Sequence, residues 1–293
     1  DPLVFDQFHG ANFTAYNGDS CEVLKGLPEN SIDMSVYSPP FADLFVYSNS
    51  DRDLGNSKDW SEFFSHYSYI IRELLRVTKP GRITCAHTAD IPAMDSRDDY
   101  IGMKDFPGAV IRAYEESGWI YHGCAYVQKN AQAQAIRIKA KGLAFAQLRR
   151  DSAACRPALV DRVIMFRKDG ENKVPVTPVE NGEMTNETWI EWAHGIWLGI
   201  NETDTLQYTT ARDPEDERHI CPLALGTCIK LYSNPGETVL TPFMGIGSEA
   251  YQALRFGCKA IGIELKPSYY RVAVKNLQNI EAQTTKNIFN WNA

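Results

Sequence analysis

The run best suited to chemistry is Ser38-Pro39-Pro40-Phe41, at the end of an apolar segment that starts at Ser31. The Ser38 hydroxyl and the Pro39 carbonyl can each accept a hydrogen bond. Two consecutive prolines restrict the backbone, so neither acceptor has to reorganise. Such a pair suits an amine whose lone pair is delocalised into a ring, as in the exocyclic amine of a nucleic-acid base. Holding both N–H bonds draws the nitrogen toward tetrahedral geometry and aims its lone pair at an electrophile. Phe41 adds a ring face on which an unstacked base can lie, offsetting part of the cost of flipping it. Taken alone, the four residues also fit an ordinary strand that ends in a Pro-Pro turn.

A second run, Thr238-Val239-Leu240-Thr241-Pro242-Phe243-Met244-Gly245-Ile246-Gly247-Ser248, reads as strand, glycine turn and helix start. Glu264 follows 17 positions after Gly247, at the end of another apolar segment, where a carboxylate can accept from two ribose hydroxyls. Three readings compete: a methyl-donor loop, packing glycines, and a dinucleotide loop, since Gly245 to Ala250 also matches GxGxxA. A dinucleotide fold is expected to continue well beyond its glycine loop, whereas only one strand and one helix precede Ala293. Glu249 also stands where a pyrophosphate would meet the helix start. S-adenosylmethionine, with its sulfonium and ammonium, tolerates acidic surroundings and is the favoured ligand.

These motifs need elements to hold them. Strands are expected at Phe13 to Asp19, Ser31 to Tyr37, Arg82 to Ala86, Ile120 to Val127, Val160 to Arg167, Thr238 to Leu240 and Ala260 to Glu264. Helices are expected at Cys21 to Leu27, Trp60 to Val77, Phe106 to Glu116, Ala131 to Arg150, Cys221 to Tyr232, Ser248 to Phe256 and Pro267 to Gln278. Asp169 to Thr188 reads as loop. The aromatic run Trp189 to Tyr208 leaves core packing, a homodimer contact and base reading open. Alternating strands and helices imply an α/β, Rossmann-like fold, a mostly parallel twisted sheet with helices on both faces. Ligands of such sheets bind at the carboxyl ends of the strands. Both motifs sit at strand ends, so they are expected to face one another across one cleft.

Composition sets the outer bounds. The chain has 293 residues, 44% hydrophobic and 23% charged, enough for one substantial α/β domain with or without an insertion. No apolar run is long enough for a membrane span, and Asp1 to Gly10 does not resemble a signal peptide, so a cytoplasmic location is expected. Seven cysteines, Cys21, Cys85, Cys124, Cys155, Cys221, Cys228 and Cys258, form no CxxC pair; reduced thiols and no zinc site are expected. His9, His66, His87, His122, His194 and His219 show no metal spacing. His87 lies near a strand end and can face the cleft, although a core or rim position suits each histidine better. Net charge is −7, yet residues 129–173 hold eleven basic and four acidic side chains, so that stretch carries +7 and the remainder −14. A basic stretch of this kind fits either a phosphate-facing surface or a solvated helix face.

Taken together, Gly18-Asp19, Leu24 to Asp33, Ser38 to Phe41, Leu74 to Gly81, Phe166-Arg167-Lys168, Cys221-Pro222-Leu223 and Pro235 to Leu277 resemble the DNA amino-methyltransferases. The likeness is to the permuted (beta) group, in which the catalytic motif precedes the cofactor motif. Ser48 to Lys58, His219 to Leu223 and Gly245 to Ser248 look most like its phage-type members. The resemblance implies S-adenosyl-L-methionine as cofactor and DNA as partner; the Ser38-Pro39-Pro40-Phe41 run and the absence of a Pro-Cys nucleophile lead to the expectation of direct in-line methyl transfer with no covalent enzyme intermediate. The resemblance also implies that Ser38, Pro39, Pro40 and Phe41 are catalytic. Asp19, Thr241, Phe243, Gly245, Gly247, Ser248 and Glu264 would hold the cofactor, with Pro222 and Leu223 near its methionine end. Thr241 departs from the family, which usually has Asp there to help bind the cofactor's ammonium. Ser before Pro-Pro is more typical of N4-cytosine members, and Asp or Asn of N6-adenine members. N4 of cytosine is therefore the expected target, with N6 of adenine as the alternative.

The expected organisation is a catalytic and cofactor-binding unit of residues 1–128 and 216–293. Residues 129–215 would form an inserted, DNA-facing part in which Lys139, Lys141, Arg149, Arg150 and Arg156 touch phosphates or bases. A 5-methylcytosine enzyme needs a Pro-Cys nucleophile, and the adjacent pair here, Cys221-Pro222, runs the other way. A nicotinamide-dependent oxidoreductase and a catalytically inert DNA-binding module are the alternatives from other classes, and titration with S-adenosylmethionine separates them.

Overall fold

The computed structural model describes residues 4–40, 60–93, 98–130, 151, 159–182, 184–198, 206 and 225–290. Its strands are β1 (Val4–His9), β2 (Phe13–Gly18), β3 (Ile32–Tyr37), β4 (Thr78–Ala89), β5 (Ile91–Ala93), β6 (Gly102–Lys104), β7 (Ile120–Gln128), β8 (Val160–Arg167), β9 (Ile196–Trp197), β10 (Thr238–Thr241) and β11 (Lys259–Glu264). The helices are α1 (Ser20–Gly26), α2 (Trp60–Val77), α3 (Phe106–Glu116), α4 (Asn186–Ala193), α5 (Gly226–Tyr232), α6 (Ser248–Arg255) and α7 (Pro267–Asn290).

Among the described residues, nine strands form one sheet in the order β1-β2-β11-β10-β3-β4-β8-β7-β9. The block β2-β11-β10-β3-β4 is parallel throughout. Then β8 runs antiparallel between β4 and β7, and β1 runs antiparallel at the far edge. The mostly parallel, doubly covered sheet expected from the sequence is therefore present. All six residues of β3 are buried, as befits a central parallel strand.

Two apolar layers sandwich the sheet. One holds Met34, Val36, Cys85, Val163, Val127, Val239 and Ala260 under α5, α6 and α7. The other holds Tyr37, Ala86, Ile164 and Leu240 under α1, α2 and α3. Helix α2 forms because Phe63, Tyr67, Ile70, Ile71, Leu74 and Val77 recur at helical spacing and are all buried. The Asp19 side chain caps α1 by accepting the Cys21 N–H at 2.8 Å.

At the amino-terminal edge of the parallel block, the Arg82 guanidinium is 2% exposed and joins several elements. It donates to the carbonyls of Asp33 (2.8 Å) and Val174 (3.1 Å) and pairs with Glu237. Asp33 in turn accepts from Lys79 Nζ (2.6 Å) and the Thr238 N–H (2.9 Å), tying β3, β4 and β10 together.

Several elements depart from the sequence reading. β4 starts at Thr78 rather than Arg82, because its pairing with β3 begins at Ile32–Thr78 and a register shift absorbs Pro80-Gly81. Helix α7 continues beyond Gln278 to Asn290. Of the unassigned run, residues 189–193 belong to a helix, α4, that starts at Asn186 inside the expected loop and is capped by Thr185; β9 follows, and residues 199–205, 207 and 208 lie outside the described residues. β8 and β9 both lie within residues 129–215 and are strands of the main sheet, so the sheet draws on that stretch. The expected helix at Ala131 to Arg150 lies outside the described residues. Among the described residues no helix is long and apolar enough to cross a membrane.

Candidate active site

The two motifs leave the sheet side by side. β3 and β10 are parallel neighbours, with Val239 opposite Met34 and Leu240 opposite Ser35. Ser38-Pro39-Pro40 and Pro242-Phe243 therefore emerge from the same edge, and the Tyr37 and Phe243 rings pack with centroids 5.6 Å apart. The expectation that the proline acceptors and the glycine turn meet at one cleft edge agrees with this placement.

Side chains alternate between sheet faces along a strand. Extending each strand's alternation to this edge places polar residues on one face. Ala15 leads to Asn17, Ala260 to Glu264, Val239 to Thr241, Val36 to Ser38, Cys85 to His87, Val163 to Asp161, and Val127 to Lys129. The strands β2, β11, β10, β3, β4, β8 and β7 are consecutive neighbours, so these seven residues make one row above the layer under α5, α6 and α7.

At one end of the row, Glu264 terminates β11. Its Oε2 accepts the Gly245 N–H and its Oε1 accepts the Lys266 N–H, both at 2.8 Å. Asn17 Nδ2 donates to the Glu264 carbonyl at 2.8 Å, locking β2 to this turn. Gly245 has φ +55°, and a Cβ built there would meet nothing within 4 Å, so the backbone is open to a ligand. Gly247 differs: its left-handed backbone, φ +96°, is what favours glycine at the start of α6, and a Cβ built there would lie in ordinary contact with Ala273 of α7, 3.4 Å away. Ser248 is buried at the start of α6. Thr241, fully buried, carries a hydroxyl with no hydrogen-bond partner. Such an orphan costs about 1–3 kcal/mol unless a ligand group satisfies it. An open glycine turn, a carboxylate at the next strand end and an orphaned acceptor between them fit a cationic nucleoside. Beside them Asp19 is occupied as the cap of α1. Burial and the Asp19 carboxylate push the neighbouring Cys21 thiol up to about 12, so this sulfur stays protonated and is no nucleophile.

The other end of the row contains residues whose role the sequence did not disclose. Ser38 Oγ lies 2.9 Å from His87 Nδ1, and His87 Nε2 lies 3.0 Å from Asp161 Oδ2. Lys129 Nζ pairs with the other Asp161 oxygen. Burial pushes the Asp161 carboxyl up, but the charge and hydrogen bonds of His87 and Lys129 outweigh it and hold the group below its usual value. His87, for which a core or rim place suited the sequence better, instead links Ser38 to this acid. Asp161 and Lys129 had been counted only as charges. Register brings the four together, since Tyr37 pairs with Ala86, His87 with Val163, and Val127 with Asp161.

Pro39 and Pro40 are buried beside Ser38. Phe41, Pro222 and Leu223 lie outside the described residues, as do Lys139, Lys141, Arg149, Arg150 and Arg156. Of the basic stretch that is described, Lys129 holds Asp161, Arg162 pairs with Asp90 at 3.4 Å, and Lys168 donates to Asn30 and the Thr78 carbonyl. These charges are committed to the fold, which trims the surface inferred from the local +7. Among the described residues no cluster of His, Cys, Asp and Glu could hold a metal ion.

The model of the DNA methylase family of N6 and N4 methyltransferases matches residues 32–275, from β3 into α7. The chain belongs to this family. The chain is 24% identical to the Type II methyltransferase M.BglI of Bacillus subtilis, over 92% of this chain and 87% of that protein. Its fold matches TTHA0409 of Thermus thermophilus, solved with S-adenosyl-L-methionine, at TM-score 0.68 and 21% identity, covering 90% of this chain and 94% of that one. It also matches PvuII DNA methyltransferase, described as cytosine-N4-specific, at TM-score 0.64 and 18% identity, covering 96% and 95%. The chain is thus a DNA amino-methyltransferase. These relatives lend the phage-type likeness of the three short stretches no support, and two of those stretches lie outside the described residues.

Proposed function

We propose that this methyltransferase acts on N4 of cytosine in DNA, on a base flipped out of the duplex. The observation that carries the reading is the polar row at the carboxyl edge, with the cofactor end at Glu264 and Thr241 and the amine end at Ser38. A hydroxyl, not a carboxylate, heads the Pro-Pro pair, and the likeness to the cytosine-N4-specific PvuII enzyme favours the same choice. When bound, the cofactor supplies a methyl group on a cationic sulfur. Glu264 binds the ribose, and Thr241 offers its hydroxyl to the methionine end. Ser38 and the Pro39 carbonyl hold the amine hydrogens, the prolines keep those acceptors rigid, and Phe41 supports the base. Gly247 serves by the left-handed backbone that turns the loop into α6.

Within residues 129–215 the DNA-facing part is the stretch that carries Lys139, Lys141, Arg149, Arg150 and Arg156, whereas residues 168–182 pack at the amino-terminal edge of the sheet, away from this row. Reversing their charges should weaken DNA binding and flatten its salt dependence; unchanged binding would remove them from the interface. Target identity is tested by mass spectrometry of nucleosides from DNA incubated with enzyme and cofactor. N4-methylcytosine is expected, and N6-methyladenine would overturn the assignment of the base while keeping the row intact.

A further inference from the structure

We propose that His87 is a positioning residue for this reaction: through Ser38 it receives the proton that methyl transfer releases, with Asp161 and Lys129 setting its tautomer and charge. The proposal rests on the reading that Ser38 faces the substrate amine, but not on which base carries that amine.

The geometry dictates the direction of each hydrogen bond. An ionised carboxylate only accepts, so His87 Nε2, 3.0 Å from Asp161 Oδ2, must carry the hydrogen. Before a proton arrives, the hydrogen bond from His87 and the Lys129 ammonium on the second oxygen keep Asp161 ionised, and a charge on His87 lowers the carboxyl further. A neutral imidazole protonated at Nε2 has a bare Nδ1, so the Ser38 hydroxyl 2.9 Å away donates to it. The Ser38 lone pairs are then directed to incoming N–H groups. The opposite tautomer would have Nδ1 donate to Ser38, which would occupy one of those lone pairs.

The proton balance follows. As the nitrogen–carbon bond forms, the methyl–sulfur bond breaks and its electron pair stays on sulfur. The amine nitrogen, now cationic, gives one hydrogen to Ser38 Oγ while the Ser38 hydrogen passes to His87 Nδ1. The products are a neutral methylated amine and an imidazolium beside the Asp161 carboxylate. His87 returns its proton to solvent before the next turnover. Because the four residues stand on adjacent strands of one sheet, the relay is fixed before substrate arrives.

The test begins with nitrogen-15 NMR of histidine-labelled full-length protein without cofactor or DNA, the His87 signals being identified by their loss in His87→Gln. The Nε2-protonated tautomer is expected, with an Nδ1 signal that moves in Ser38→Ala. A hydrogen on Nδ1, or an Nδ1 signal indifferent to Ser38→Ala, would overturn the relay, and His87→Asn supplies the same identification of the signals if His87→Gln folds poorly. In single-turnover methylation, His87→Gln should slow the chemical step about 100-fold, the lower range of general acid–base effects, with DNA and cofactor affinities about as in wild type. An unslowed step, or a slower one accompanied by an equal loss of binding, would overturn the relay while leaving Ser38 in place. Full activity in Ser38→Ala would instead overturn the reading of the site on which the relay depends.

Discussion

Replacing Glu264 by glutamine keeps the side chain's shape and removes its charge. In the folded chain its two oxygens accept the Gly245 and Lys266 N–H groups, each at 2.8 Å. A carboxamide has one acceptor oxygen, so one of those donors faces an NH2 group instead. Hydrogen bonds to charged groups contribute about 1.5–3 kcal/mol. The cofactor-free variant should therefore lose about 2 kcal/mol, or about 3 °C in melting temperature for a chain of this size. Ribose hydroxyls would lose the same charged acceptor, so the Kd for S-adenosylmethionine should rise about 10- to 150-fold. Calorimetric titration measures that ratio directly. Thermal melts give a second reading: cofactor at 100 times the wild-type Kd should stabilise wild type by about 2.7 kcal/mol and the variant by much less. A Kd within about twofold of wild type, alongside the expected drop in melting temperature, would refute the reasoning. Glu264 would then shape the glycine turn without reading the ribose.

Thr241→Val removes a buried hydroxyl that has no partner. The cofactor-free protein should melt no lower than wild type, while cofactor Kd rises about fivefold, the equivalent of one hydrogen bond; a lower melting point would show that the hydroxyl is satisfied within the fold. Glu237→Ala leaves the buried Arg82 guanidinium without its anion and should cost about 3 kcal/mol in urea unfolding. Cofactor affinity should stay unchanged, because that pair sits at the opposite edge of the sheet; altered affinity would contradict the separation. For Asp161 the pH dependence has a definite sign. Its folded pKa is depressed by His87 and Lys129 against the upward push of burial, so its ionised form stabilises the fold above the ordinary carboxylate value. That contribution is lost as pH falls through the depressed folded value. Asp161→Asn should be less stable than wild type at neutral pH, with the gap closing in strong acid; a gap independent of pH would exclude the ion pairing.

The elements that sequence periodicity exposes are those whose burial is one-sided or complete. The α2 stripe from Phe63 to Val77 and the wholly buried β3 were both legible for that reason. Where burial is slight, the signal fails. No residue of α4 is buried, and β1 buries none of its six, so neither presents an apolar period to read. The start of β4 was hidden for a different reason. Pro80-Gly81 has the composition of a turn, and Gly81 does adopt φ +74°, but the strand carries both through an irregularity against β3. Local chemistry cannot separate a bulge from a stop, because the difference lies in whether a partner strand continues beyond it.

The site divides along the same line. Ser38, Gly245, Gly247 and Glu264 announce themselves because local backbone chemistry, prolines or glycines at a strand end, marks the run that contains each. The link from Ser38 to His87 spans 49 positions and that from His87 to Asp161 spans 74, and no local pattern joins them. Period-two alternation does tell which face each residue occupies, but contact also requires that β3, β4, β8 and β7 be neighbours in that order. The antiparallel insertion of β8 between two strands of opposite direction is a property of the whole sheet. The same dependence explains why a charge count over the basic stretch includes residues that the fold itself uses. Lys129, Arg162 and Lys168 add to its charge yet are held by Asp161, Asp90 and backbone carbonyls. A positive residue bound inside the fold and one facing phosphate are identical in a count; only the position of an acid on the adjacent strand distinguishes them. For Lys129 that acid is Asp161, which ties a charge that entered the sequence reading only as part of a count to the amine end of the active site.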